Sequence, residues 1–126
     1  MPTPQKSTLY IAGPMTGLPD LNFPAFHAEA YRLRAMGFEV VNPAEINPDK
    51  HLSWLECMRR DIAALVFCDG INLLPGWRWS KGATLEYFVA KRLGLIIILP
   101  PGELGWVIYP RWLWVALTAY RNWRAA

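Results

Sequence analysis

Glu86 and Asp61 are the residues of this chain best suited to reaction chemistry. Glu86 stands between Leu85 and Tyr87, and Asp61 stands between Arg60 and Ile62, each inside a segment with apolar side chains along one side. Two carboxylates that converge on a crevice are what cleavage of a glycosidic bond needs. One attacks or stabilises the cationic sugar carbon, and the other handles the proton of the leaving group. Bond breaking at C1′ of a nucleoside makes the same demand. Each carboxylate also has a plainer reading. Glu86 in an amphipathic helix is ordinarily solvated. Asp61 would pair at the surface with Arg59 or Arg60, although adjacent residues on a helix do not face one another. Asp69, next to Gly70, ends a helix and opens a turn.

Two loops are candidates to hold an anion. Gly76 to Glu86 reads GWRWSKGATLE and places Ser80, Lys81 and Gly82 at a helix start. Free backbone N–H groups and the helix dipole favour negative charge there. Ser80 serves as an N-cap in either case. The other loop, Gly13 to Gly17, is neither a GxGxxG fingerprint nor a P-loop. Its glycines serve the turn, a ligand, or both.

The elements that must position these residues follow from punctuation and periodicity. Ser7 to Ala12 (STLYIA) reads as a first buried strand, and Gly13 to Pro19 as a loop. Asn22 is the expected N-cap of a helix along which Phe26, Ala30, Leu33 and Gly37 recur, with Gly37 as its stop. Phe38 to Val41 is the second strand, and Asn42 to His51 a polar loop. Ser53 with Glu56 forms a capping box for a helix carrying Trp54, Met58, Ile62, Leu65 and Val66 on one side. Ile71 to Leu74 is the third strand. Ser80 opens a helix that runs to about Leu93, and Leu95 to Leu99 is a fourth strand, apolar throughout as a strand buried on both faces should be. A tail helix is expected around Trp112 to Trp123. The β-α-β-α-β-α-β order predicts a Rossmann-like three-layer α/β fold, with a parallel sheet of about four to five strands flanked by helices. The site of such a sheet lies beyond the carboxyl ends of its strands, which hold Gly13 to Gly17, Asn42 to Asn47 and Pro75 to Gly82.

Composition bounds the answer. The chain has 126 residues, 53% of them hydrophobic and 18% charged, with a net charge of +3. One domain over 1–126 is expected, with a core at about 7–100 and an apolar tail at 101–126. No basic run exceeds two residues, so a small anionic substrate suits the charge as well as any nucleic acid does. Cys57 and Cys68 read as buried free thiols in a reducing cytoplasm. No signal peptide is visible. Leu104 to Tyr120, interrupted by Pro110 and Arg111, is short for a membrane span and reads as a docking or oligomerisation element. His27 and His51 lack ligand spacing, so no metal site is expected.

The stretch YIAGPMTG from Tyr10 to Gly17, then Asp61, then SKGATLE from Ser80 to Glu86, resembles the nucleoside 2-deoxyribosyltransferase-like superfamily. Within it the chain is most similar to a short branch often carried by phages and prophages. The resemblance covers roughly Leu9 to Leu99 and leaves out the tail after Pro101. It implies a Rossmann-like fold and a covalent mechanism in which Glu86 attacks C1′ of a nucleoside or nucleotide, the base leaves, and water or a second base resolves the glycosyl ester. It implies that Asp61 assists the leaving base and that Tyr10 orients the nucleophile. Ser80 would contact a 5′-phosphate, and the loop of Gly13, Pro14, Met15 and Gly17 would lie against sugar and phosphate, with Lys81 and Gly82 completing the binding set. Two departures stand out. Thr16 occupies a place where the hydrolase branch often has an Arg, which leaves Lys81 or Arg78 to supply positive charge. The stretch from Asp61 to Glu86 is one residue longer, within Pro75 to Trp79, and its two tryptophans would stack on a base or pack at a subunit interface. No organic cofactor is required by this chemistry, and a homodimer or larger homo-oligomer is expected.

Two other readings compete with an N-glycosidase or deoxyribosyltransferase. A non-catalytic nucleotide-binding or sensing module would keep the Ser80–Gly82 site and never break the C1′–N bond. An interaction protein would use Trp106, Trp112, Trp114 and Trp123 as a partner surface.

Overall fold

A computed structural model describes residues 6–103; the expected tail helix and its tryptophans lie outside them. Among the described residues four strands form one all-parallel sheet: β1 (Thr8–Ala12), β2 (Glu39–Val41), β3 (Gly70–Leu73) and β4 (Ile96–Ile98), in the order β2-β1-β3-β4. The helices are α1 (Phe23–Ala35), the short α2 (Pro43–Ile46), α3 (Trp54–Leu65) and α4 (Lys81–Arg92). Chain order and sheet order part company at β1: the chain goes out to β2, then returns past β1 to β3. Open parallel sheets take their ligands at such a reversal, beyond the carboxyl ends of the two strands, here β1 and β3.

Period-two alternation sorts each strand between two layers. In β1, Tyr10 and Ala12 join Ile71, Leu73 and Ile97 in the core beneath α3 and α4, with Leu65, Ala83 and Ala90. Leu9 and Ile11 join Phe23, Phe26, Ala30 and Leu33 of α1 on the other side. Register keeps the layers in step: Tyr10 is level with Val41 and Ile71, and Ile11 with Asn72. The α/β expectation of a parallel sheet with helices on both faces therefore holds.

Local differences have local causes. Asn22 precedes α1 as expected, but it is left-handed (φ 60°) and its side chain does not cap the helix. Its Nδ2 instead donates to Pro14 O at 2.9 Å, tying the first loop to the helix start. Residues Asn42 to Asn47, expected as loop, contain the turn of α2: Asn42 Oδ1 accepts from Ala44 N–H, and Pro43 supplies a preset φ. Ser53 caps α3 by accepting from Glu56 N–H, as its spacing predicts. Asp69 does more than end a helix. Its Oδ2 accepts from Thr8 N–H at 2.7 Å, pinning the start of β1 to the entry of β3. Cys68 is buried, whereas Cys57 is only half-buried.

Candidate active site

Each carboxylate occupies a core-facing slot on its helix. In α4 the buried residues are Ala83, Glu86 and Ala90; in α3 they are Met58, Asp61 and Leu65. The offsets are three and then four residues in both helices, the spacing of one helix face. The centre of each buried triplet is thus an acid where an apolar residue would pack. Glu86 is 5% exposed and Asp61 6%. The surface pairing of Asp61 with Arg59 or Arg60 is overturned, because the face that carries Asp61 points into the protein.

Tyr10, fully buried on β1, donates from its phenol oxygen to Glu86 Oε2. Burial, followed by the charges of Glu86 and Asp61, raises the Tyr10 phenol well above its ordinary range, so it stays a donor. Glu86 is itself raised to about 8. Burial is the main cause, the Tyr10 bond opposes it, and the charge of Asp61 adds to it. Asp61 is raised to about 6 by burial, against a hydrogen bond that lowers it. That bond comes from Asn47 Nδ2, 2.7 Å from Asp61 Oδ1. Asn47 lies directly after α2 and is 5% exposed. Sequence reasoning placed its loop at the strand ends but did not single it out. A usable signal was present: a polar residue on a strand-end loop, preceding a helix whose inward face carries an acid.

The loops that follow β1 and β3 meet each other. A Cβ on Gly13 would come within 2.7 Å of Leu74 Cβ, so only glycine permits this approach. Gly76 has φ +84°, and a Cβ there would lie 3.4 Å from Pro14 Cγ. Met15 O accepts from Leu18 N–H, closing a turn around Gly17. Ser80 caps α4: its Oγ accepts from Ala83 N–H at 3.1 Å. The first-turn amides of Lys81 and Gly82 then have no partner within the helix, as at any helix start. Gly82 packs against α3, since a Cβ on it would meet Met58 Sδ at 3.1 Å. The Lys81 ammonium sits 4.4 Å from the centre of the Trp54 ring. Arg78 is engaged elsewhere, by Glu103 and by the face of Trp77. The paired tryptophans separate: Trp77 is buried against Tyr87, whereas Trp79 is 92% exposed.

Among the described residues no group of three or more His, Cys, Asp or Glu is arranged to hold a metal ion, and no helix is long and apolar enough to cross a membrane.

Residues 7–99 match the model of the family described as domain of unknown function (DUF4406), and the chain belongs to that family. No curated protein matches the sequence. Solved structures that share the fold include two of stated activity. One is a 2-desoxiribosyltransferase from Leishmania mexicana, with a TM-score of 0.58 and 18% identity over 74% of this chain and 63% of the other. The chain thus spans less than two thirds of that enzyme. The other is the CMP N-glycosidase BcmB of Clostridium botulinum, with a TM-score of 0.53 and 20% identity over 92% of this chain and 84% of that one.

Proposed function

We propose that this member of the DUF4406 family cleaves the N-glycosidic bond of a nucleoside or nucleotide. The observation that carries the reading is a buried Glu86 held by the Tyr10 phenol and within the field of a second buried acid, Asp61. A structural role explains this poorly, because burying two carboxyls in one layer costs free energy that apolar side chains would not.

In the proposed reaction an oxygen of the Glu86 carboxylate attacks C1′. The C1′–N bond breaks, its electron pair leaves with the base, and the proton of the Asp61 acid goes to that base. Water or the nitrogen of an acceptor base then attacks C1′, the bond between C1′ and the Glu86 oxygen breaks and restores the Glu86 carboxylate, and the Asp61 carboxylate takes up the proton of the attacking group. Tyr10 holds Glu86 in line. The loop of Gly13, Pro14, Met15 and Gly17 lies against the sugar. The amides of Lys81 and Gly82, the Ser80 hydroxyl and the Lys81 ammonium provide for a 5′-phosphate. The reactive form has Glu86 ionised and Asp61 protonated. With values of about 8 and about 6, that form is a minor one, and kcat/KM should be bell-shaped with limbs near those two values. The folds of a deoxyribosyltransferase and a CMP N-glycosidase support the reaction class.

The test is chromatography of free base after incubation with nucleosides and nucleoside 5′-monophosphates, ribo and deoxy, beside Glu86→Gln. Base release by the native protein alone supports the reading, and stimulation by an added acceptor base favours transfer over hydrolysis. Equal release by the Gln variant would sink the covalent mechanism. Binding of nucleotide without release across the panel would favour the sensing module.

A further inference from the structure

Asn47 makes one hydrogen bond too few. Its Nδ2 donates to Asp61, yet its Oδ1 is buried with no partner among the described residues. A buried amide acceptor left open costs about 1–3 kcal/mol, so a side chain kept only for packing would be better replaced by an apolar one. The orientation is nevertheless forced by the chemistry of its neighbour. An ionised carboxylate only accepts, so the amide must turn its NH2 group to Asp61 and leave its oxygen behind. With Oδ1 of Asp61 occupied, its Oδ2 takes no hydrogen bond from the described residues and is the oxygen left for chemistry.

We propose that Asn47 is a positioning residue, which clamps one oxygen of Asp61 so that the other is presented to the leaving base, and which thereby sets the pH range over which Asp61 carries its proton. The inference rests on the glycosidic reading for its catalytic half only. The groups that share the field of Asp61 are Glu86 on α4, Tyr10 on β1 and Cys57 on α3 itself. Asn47, by contrast, stabilises the ionised form by a direct hydrogen bond; burial works the other way. Losing the amide therefore moves the proton affinity of Asp61 upward. The effect on folding is small by comparison, because the same truncation removes the open acceptor.

The experiment is a 13C-carboxyl NMR titration of Asp61 in the native protein, in Asn47→Ala and in Asn47→Asp, alongside the pH profile of base release. In Asn47→Ala the Asp61 midpoint rises by about one pH unit. The acid limb of kcat/KM rises by the same interval, and KM stays within about twofold because Asn47 acts through Asp61. Asn47→Asp keeps the shape, so it carries the test if the Ala variant does not fold. Two carboxyls at hydrogen-bond distance share one proton, and Asp61 then titrates in two steps separated by more than about one unit. An unchanged Asp61 midpoint in a folded Ala variant, or single-step titration in the Asp variant, overturns the proposal. Should no substrate release base, the glycosidic reading fails while the carboxyl titration still decides the role of Asn47.

Discussion

On the α1 side of the sheet, Leu9 and Ile11 pack against Phe23, Phe26, Ala30 and Leu33, and Asn72 is the polar residue level with them. On the opposite side, the same strand offers Tyr10 and Ala12 to α3 and α4, and both buried carboxyls lie there. The strands thus carry two kinds of core, offset by a single residue. One is held mainly by apolar area. The other gives up part of that stabilisation to keep two acids out of water, and this is the expected pattern where a site is built into a fold.

Four measurements would break or sharpen that contrast. The largest effect should come from Glu86→Gln, which removes the nucleophile from the acidic side. Base release is expected to fall by about 10⁴-fold or more, with nucleotide binding retained. On the apolar side, Phe26→Ala should cost about 3–5 kcal/mol of unfolding free energy in urea, while the folded fraction keeps its turnover. If turnover fell far beyond the folded fraction, the two sides would not be separable.

The third measurement is the pH dependence of Tm. Glu86 is raised in the folded state from an ordinary value near 4.5 to about 8. Between those values the folded protein holds a proton that the unfolded chain has released. Stability is then full below about 4.5, declines as pH rises, and is lowest once pH has passed about 8. The slope amounts to a few kcal/mol across the window, on the order expected from a shift of several units. Glu86→Gln should flatten most of it, whereas Phe26→Ala should lower Tm and leave the slope in place. The smallest effect belongs to Tyr10→Phe. Its bond opposes the rise of Glu86, so removing it should move the alkaline limb of kcat/KM further up and reduce the rate about tenfold.

The elements were legible because this chain is well punctuated. Gly13-Pro14, Pro75-Gly76 and Gly94 mark boundaries, and Ser53 and Ser80 cap the helices that their positions announce. α2 was hidden because a single turn has no periodicity to read. Asn22 misled because its side chain found Pro14 O instead of the helix amides. Glu86 and Asp61 could be nominated from the chain alone, but their burial could not. An acid on a helix looks solvated until the residues three before and four after it are seen to face inward. Asn47 stood on a strand-end loop that the chain did mark, but its role depends on a partner 14 positions away and only the fold brings the two together.

The position of β1 in the middle of the sheet has a consequence for how the molecule comes into being. β1 is made before the other strands, yet it needs neighbours on both sides. β2 follows soon, but the bond between Thr8 and Asp69 spans 61 positions and that between Tyr10 and Glu86 spans 76. At a synthesis rate of about 5–20 residues per second, β1 waits several seconds for β3 and longer for α4. Long-range parallel pairing of this kind is intrinsically slow, and the waiting strand is open to wrong partners. The pair Tyr10 and Glu86 is therefore completed late, and a nascent chain stalled before α4 would hold most of the sheet with half of its chemistry missing.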